Sequence, residues 1–232
     1  MPKLGLAALG LIALLAPEAK AALQTVSITA ADRGFYSQGG VSNPSSTFYT
    51  TGRVMSAVEG APSQILEERS FFLFDIPTTL SGTIVSAALT LRLGSGASDT
   101  GTETFTLFDV STDLASLIAG TAGTDAFADL GGGVSFGSVD IAPVGFSFDL
   151  VGIDLNAAAL AAIQFGQTFA LGGAITSLAG VGEEYLFGGT GSIGLARLDL
   201  VVDDAVSVPA PAALPVMLSA LVGLTAVRRR RG

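Results

Sequence analysis

Gly82-Thr-Ile-Val-Ser-Ala-Ala-Leu-Thr-Leu-Arg-Leu93 sets Val85, Ala87, Leu89, Leu91 and Leu93 against Ser86, Ala88, Thr90 and Arg92. A period of two places these sets on opposite faces of an extended chain, so residues 83–93 read as a half-buried strand. Just upstream, Arg69-Ser-Phe-Phe-Leu-Phe-Asp75-Ile76 is an apolar run stopped by Pro77, and reads as a second strand over 69–76. Working outward, further strands are expected at 23–30, 103–110, 134–141, 145–151, 167–171, 184–187 and 194–202. Residues 32–52 are rich in Gly, Ser, Thr and Asn and read as long loops around a short strand. One short helix is expected over 157–164, alanine-rich and headed by Asp154 or Asn156, with a helical turn at 113–118. Many short strands separated by glycine-rich turns define an all-β fold, a β-sandwich or jelly roll with one short helix. No repeat of fixed period points to a solenoid or propeller.

Charge divides the 232 residues into three parts. Between the two ends, residues 22–204 carry five arginines, no lysine and nineteen carboxylates, a net of −14. So acidic a surface repels phosphate backbones, and nucleic acid is excluded as a partner. The chain has no cysteine and no histidine. Disulfides, thiolate chemistry and a histidine-based triad are therefore absent, and so is the commonest transition-metal ligand.

The first end, residues 1–21, has the form of a secretory signal peptide. Lys3 supplies the positive start, residues 4–16 the apolar stretch, and Ala19-Lys20-Ala21 the small residues that precede a cut after Ala21. The last end, residues 205–232, has three successive pieces. Residues 208–213 (Val208, Pro209, Ala210, Pro211, Ala212, Ala213) hold two prolines, with a third at Pro215, and suit neither a helix interior nor a central strand. Residues 214–227 are apolar and expected to form a transmembrane helix; counted from Ala212 the uncharged stretch is 16 residues. That length corresponds to about 24 Å of helix, enough for a thin bilayer. Arg228, Arg229, Arg230 and Arg231 then act as a stop-transfer lock on the cytoplasmic side.

This tail resembles the PEP-CTERM sorting signal of exported Gram-negative proteins, in its VPLPA-CTERM variant, with Ala210 at the variant's usual leucine. The resemblance implies an exosortase-type transpeptidase as partner, acting at Val208, Pro209, Ala210, Pro211 and Ala212. It also implies transient anchoring in the inner membrane and delivery to the periplasm, cell surface or biofilm matrix. Residues 69–93 are similar to the strand pair of DNRLRE-type jelly-roll domains, with their aromatic-rich strand ending Phe74-Asp75 and the Ala87-x-Leu89-x-Leu91 strand that follows. The tryptophan-bearing middle of that family has no counterpart, since the chain has no Trp.

No motif selects a catalytic pair, so the body is expected to be non-enzymatic, with no catalytic residues. The alternative is a carbohydrate- or Ca²⁺-binding module associated with exopolysaccharide. Phe35, Tyr36, Phe48, Tyr49 and Tyr185 are its candidate stacking rings, and Asp109, Asp140 and Asp149 its candidate Ca²⁺ carboxylates. A third reading is a carboxylate-based glycan hydrolase, although Glu67-Glu68 and Glu183-Glu184 are sequence neighbours whose side chains leave a strand on opposite faces. The glycine runs at 131–133 and 170–173 lack the spacing of a phosphate loop and read as turns.

Overall fold

A computed structural model describes residues 22–46, 48–56, 63–143, 145–189 and 195–204. The signal peptide (1–21), the sorting motif, the apolar helix and the arginine cluster (205–232) lie outside these residues. The described residues form twelve strands, beginning with β1 (Ala22–Thr29), β2 (Asp32–Ser37), β3 (Ser42–Asn43), β4 (Thr51–Ser56), β5 (Gln64–Asp75) and β6 (Thr83–Ala97). They continue with β7 (Glu103–Phe108), β8 (Ser135–Ile141), β9 (Ser147–Asp154), β10 (Thr168–Ile175), β11 (Glu184–Gly188) and β12 (Ala196–Asp204). Three short helices join them, α1 (Leu114–Ile118), α2 (Gly123–Asp129) and α3 (Ala157–Ala162).

The strands form one continuous sheet in the order β1-β12-β6-β11-β4-β5-β10-β7-β8, with β9 added at β6, β2 at β5 and β3 at β2. The fold is therefore all-β. β6 is the strand on which it turns. Residues before Gly94 pair with β12 and β9, whereas Ser95 and Ala97 pair with Gly188 and Tyr185 of β11. Gly94 has φ +65°, and the register with β9 shifts between Arg92 and Gly94, which lets the strand bend from one layer into the other. All twelve strands therefore belong to one hydrogen-bonded sheet, bent at β6.

Its inner faces meet in a sandwich-like core. Ala87, Leu89 and Leu91 of β6, Ile153 of β9, and Leu198, Leu200 and Val202 of β12 pack in one cluster with Phe72, Phe74, Phe105, Leu107 and Phe187. The alternation of residues 83–93 holds across its middle, while Leu93 is half-buried and Val85, near the strand start, is exposed. β5 is buried on both faces, which explains its unbroken apolar run. Phe72 and Phe74 enter the main core; Phe71 and Leu73 pack on the opposite face with Tyr36, Leu117, Ala126 and Leu130, beneath α1 and α2. Each such side chain contributes roughly 1.5–3 kcal/mol by burial.

Among the described residues, α3 and α1 lie where a helix over 157–164 and a helical turn at 113–118 are expected, and α2 is additional. α3 lies where Asn156 predicts it, and Asn156 accepts from the Ala158 and Ala159 amides at 3.0 and 3.1 Å. α2 has no side-chain cap at Ala122 and begins on a glycine, so no start signal marks it in the sequence. Arg69 closes its other end. The guanidinium lies 4.1 Å from the Phe127 ring centre, pairs with Glu67 at 2.9 Å, and donates to the Phe127 and Ala128 carbonyls. Asp75, at the far end of β5, is exposed and accepts from Thr168 Oγ1 at 2.7 Å. The 170–173 run lies inside β10 rather than in a turn. A Cβ on Gly172 would stand 2.7 Å from the Leu130 carbonyl oxygen, and one on Gly173 2.5 Å from the Phe105 ring, so both glycines serve close packing.

Asp129 ties the α2 end to the preceding loop. Burial disfavours its charge, but hydrogen bonds from the side chains and amides of Ser111 and Thr112, at 2.6–2.9 Å, outweigh that and hold its pKa below the ordinary value. A depressed folded-state pKa stabilises the fold above the unfolded carboxylate pKa, about 3.9, and that contribution is lost as pH falls through the folded value. Asp129→Asn should therefore lower Tm at pH 7. The gap to the unmodified protein should narrow as pH drops below about 4. Thermal scans across pH 2–7 check this, and an equal gap at every pH would contradict it.

Candidate functional site

The site is a surface cleft lined by residues of β2, β3, β4, β5 and β11. β2 presents Phe35, and Asn43 of β3 sits directly across from it. The segment leading to β4 adds Phe48 and Thr50, β4 adds Val54 and Met55, β5 adds Glu68, and β11 adds Tyr185 behind Glu183. Together they line an open cleft of about 470 Å³, within the range of small-ligand pockets.

β11 sets the position of Tyr185. Its register with β6 is irregular between Tyr185 and Gly188, and Phe187 has φ +63°, a conformation that costs a bulky L-residue strain. The kink sends both Leu186 and Phe187 into the core, where Phe187 is 4.9 Å from Phe105 and 5.6 Å from Tyr49, ring centre to centre. Gly188 leaves room for the cleft ring: a Cβ there would stand 2.6 Å from Tyr185 Cε2. Among the described residues, the Tyr185 hydroxyl meets no hydrogen-bond partner. Nor do Phe35, Phe48 or Tyr185 pack against another aromatic ring.

Phe35, Phe48 and Tyr185 are thus brought together in the lining of one cleft. Tyr36 and Tyr49 are not, and their assignment as exposed loop rings is corrected, because both are fully buried. The Tyr36 hydroxyl donates to the Leu117 carbonyl at 2.8 Å, beneath α1. The Tyr49 hydroxyl donates to the Leu195 and Arg92 carbonyls at 2.9 and 3.1 Å, and burial pushes its pKa up to about 12. Neither ring keeps a face for a ligand.

The carboxylate expectations are also redrawn. Asp109 accepts from the Val134 amide, Asp140 from Thr104 Oγ1 and Asp149 from Ser147 Oγ, each at 2.7 Å. These three do not form a shared Ca²⁺ group; among the described residues no three acidic side chains are gathered as metal ligands. Glu183 and Glu184 do take opposite roles. Glu184 is fully buried, paired with Arg53, and accepts from the Ala179 and Gly180 amides at 3.1 and 3.3 Å. Glu183 is exposed at the cleft rim, where one carboxylate oxygen accepts from the Met55 amide at 2.9 Å. Asn43, Glu68 and Met55 join the site from segments in which nothing but composition marks them.

Fold and site together define an all-β domain with an aromatic-lined, acidic-rimmed cleft. No family model and no curated protein matches the chain. Among solved structures, it is similar to a cleaved adhesin domain of Lys-gingipain from Porphyromonas gingivalis, at 13% identity and a TM-score of 0.28, over 76% of this chain and 89% of that one. A likeness that loose carries neither fold nor function across. Among the described residues no helix is long and apolar enough to cross a membrane.

Proposed function

We propose that this is an exported, non-enzymatic protein of the cell surface or extracellular matrix, with a jelly-roll-type β-sandwich body delivered by its two ends. The single observation that carries the reading is the order of pieces in residues 208–231: two prolines in a short motif, an uncharged apolar run, then four arginines. Those pieces have distinct physical uses, an accessible segment, a membrane stop and a charge that resists translocation. An exosortase-type enzyme of the inner membrane is the partner that this order suits. The body between the ends needs no disulfide and no cofactor for this role. Its stability comes from the two apolar clusters on either side of β5.

Replacing both Pro209 and Pro211 by alanine, in the source bacterium, should leave the protein membrane-bound at a higher mass than the unmodified one. Fractionation followed by mass measurement reads both. Identical mass and location for the two proteins would refute processing at this motif.

A second reading is favoured by the cleft: the body binds carbohydrate. Phe35, Phe48 and Tyr185, which meet no other aromatic ring among the described residues, line one cleft and suit the stacking of sugar faces. This reading is compatible with the first, since a matrix protein gains its place by holding polysaccharide.

A further inference from the structure

We propose that β1 is a docking edge for a second copy of this chain, the two copies joined strand to strand about a two-fold axis at Val26. β1 ends the sheet and pairs on one side alone, with β12. Just beyond its end the Ala30 amide donates to the Ala196 carbonyl at 2.9 Å, and within it Ser27 Oγ donates to Asp199. These contacts lie three residues apart on each strand and in opposite directions, so the pairing is antiparallel. The amides and carbonyls of Gln24, Val26, Ile28 and Ala30 therefore face β12. Those of Leu23, Thr25, Ser27 and Thr29 point outward, and among the described residues no other backbone meets them.

An open row of this kind is a template for another strand, and proteins blunt it with charge, proline, a bulge or a cover. The other long edges here are blunted. β8 carries Asp140, and Asn156 covers its start by donating its amide to the Phe136 carbonyl at 2.8 Å and its side chain to the Ser135 carbonyl at 2.7 Å. β9 carries Asp149 and Asp154, and its register with β6 shifts between Arg92 and Gly94. β1 has no such device: residues 22–31 contain neither a charge nor a proline, and both contacts with β12 keep one register.

The strand is also its own complement. Laid antiparallel on a second copy about Val26, it sets Thr25 against Ser27 and Leu23 against Thr29, and each such pair exchanges two hydrogen bonds through the outward groups. Thr25 and Ser27 make a favourable cross-strand hydroxyl pair, and no carboxylate of β1 faces another across the seam. With a net of −14 on residues 22–204, an uncharged edge lets two bodies approach at lower electrostatic cost than a charged one would. This self-match selects a second copy as the occupant.

Sedimentation equilibrium of the full exported protein should show a reversible monomer–dimer equilibrium, with the dimer fraction rising as salt screens the two acidic bodies. Thr25→Pro removes one outward amide and none that pairs with β12, so it should give a monomer with close to the parent Tm. Thr25→Lys, which places a charge on the same edge, is a second route to the monomer should the proline variant fold poorly. Because the chain has no cysteine, an introduced one reports the register directly. Val26 stands opposite Val26 of the second copy with about 4.5 Å between Cα atoms, inside the roughly 4.4–6.8 Å span of a disulfide. On oxidation, Val26→Cys should cross-link at least about tenfold faster than Val181→Cys, which is 92% exposed between β10 and β11. A monomer at every concentration and salt would overturn the proposal. So would a dimer that both edge variants leave intact, or equal cross-linking at the two cysteines.

Discussion

Phe187→Ala should lower the unfolding free energy by about 3–5 kcal/mol, the range for removing a buried aromatic ring from a packed core. Two features place it at the upper end. The ring is fully buried at the junction of β11 with the main core, against Phe105 and Tyr49. Alanine also keeps the cost of positive φ at this position while losing the packing that offsets it. Domains of this size are stable by roughly 5–15 kcal/mol, so the variant sits near the edge of folding. Urea unfolding followed by tyrosine fluorescence measures the change. Phe187→Gly separates the two contributions, because it removes the ring but relieves the backbone. A loss below about 1 kcal/mol in the alanine variant would show that the β11 kink does not seat this ring as described.

Arg53→Ala should be nearly as damaging, for a different reason. It leaves Glu184, fully buried, with two backbone amides and no cation. Removing one partner of a buried ion pair costs about 3–5 kcal/mol, because the remaining charge stays desolvated. The matched control is Arg197→Ala. Its pair with Asp199 is partly open, with side chains 38% and 24% exposed, and is worth about 0–1 kcal/mol. Paired urea curves for the two variants test whether burial decides the outcome. Similar losses in both would contradict the buried role of Glu184.

How much of this was legible in the residues depends on what holds each element. β6 and β5 could be read directly, one from its two-residue period and the other from its unbroken apolar run. β2 and β4 could not, because Asp32-Arg-Gly-Phe-Tyr-Ser37 and Thr51-Gly-Arg-Val-Met-Ser56 are strands chiefly through their pairing with the two edges of β5. Nothing local announces that pairing. The bend at Gly94 that merges the layers is equally silent, since glycine is equally at home in an ordinary turn.

The cleft shows the same division. Phe35-Tyr36 and Phe48-Tyr49 are each adjacent aromatic pairs, and adjacency places the two rings of a pair on opposite sides of an extended chain. The pattern therefore marks one ring of each pair for burial without saying which. The structure buries both tyrosines, and backbone carbonyls supply the partners that their hydroxyls require. Glu183-Glu184 repeats the case, with the buried member chosen by Arg53 from another strand. Tertiary partners make these choices, and they are distant in sequence.

The most direct test of the reading as an exported and processed protein is the intact mass of the chain isolated from the surface or matrix of its own bacterium. Cleavage after Ala21 and within residues 208–212 predicts a species that begins at Ala22, lacks the four arginines and contains the entire body. A full-length chain recovered from the cytoplasm, with residues 1–21 and 213–232 still attached, would contradict it.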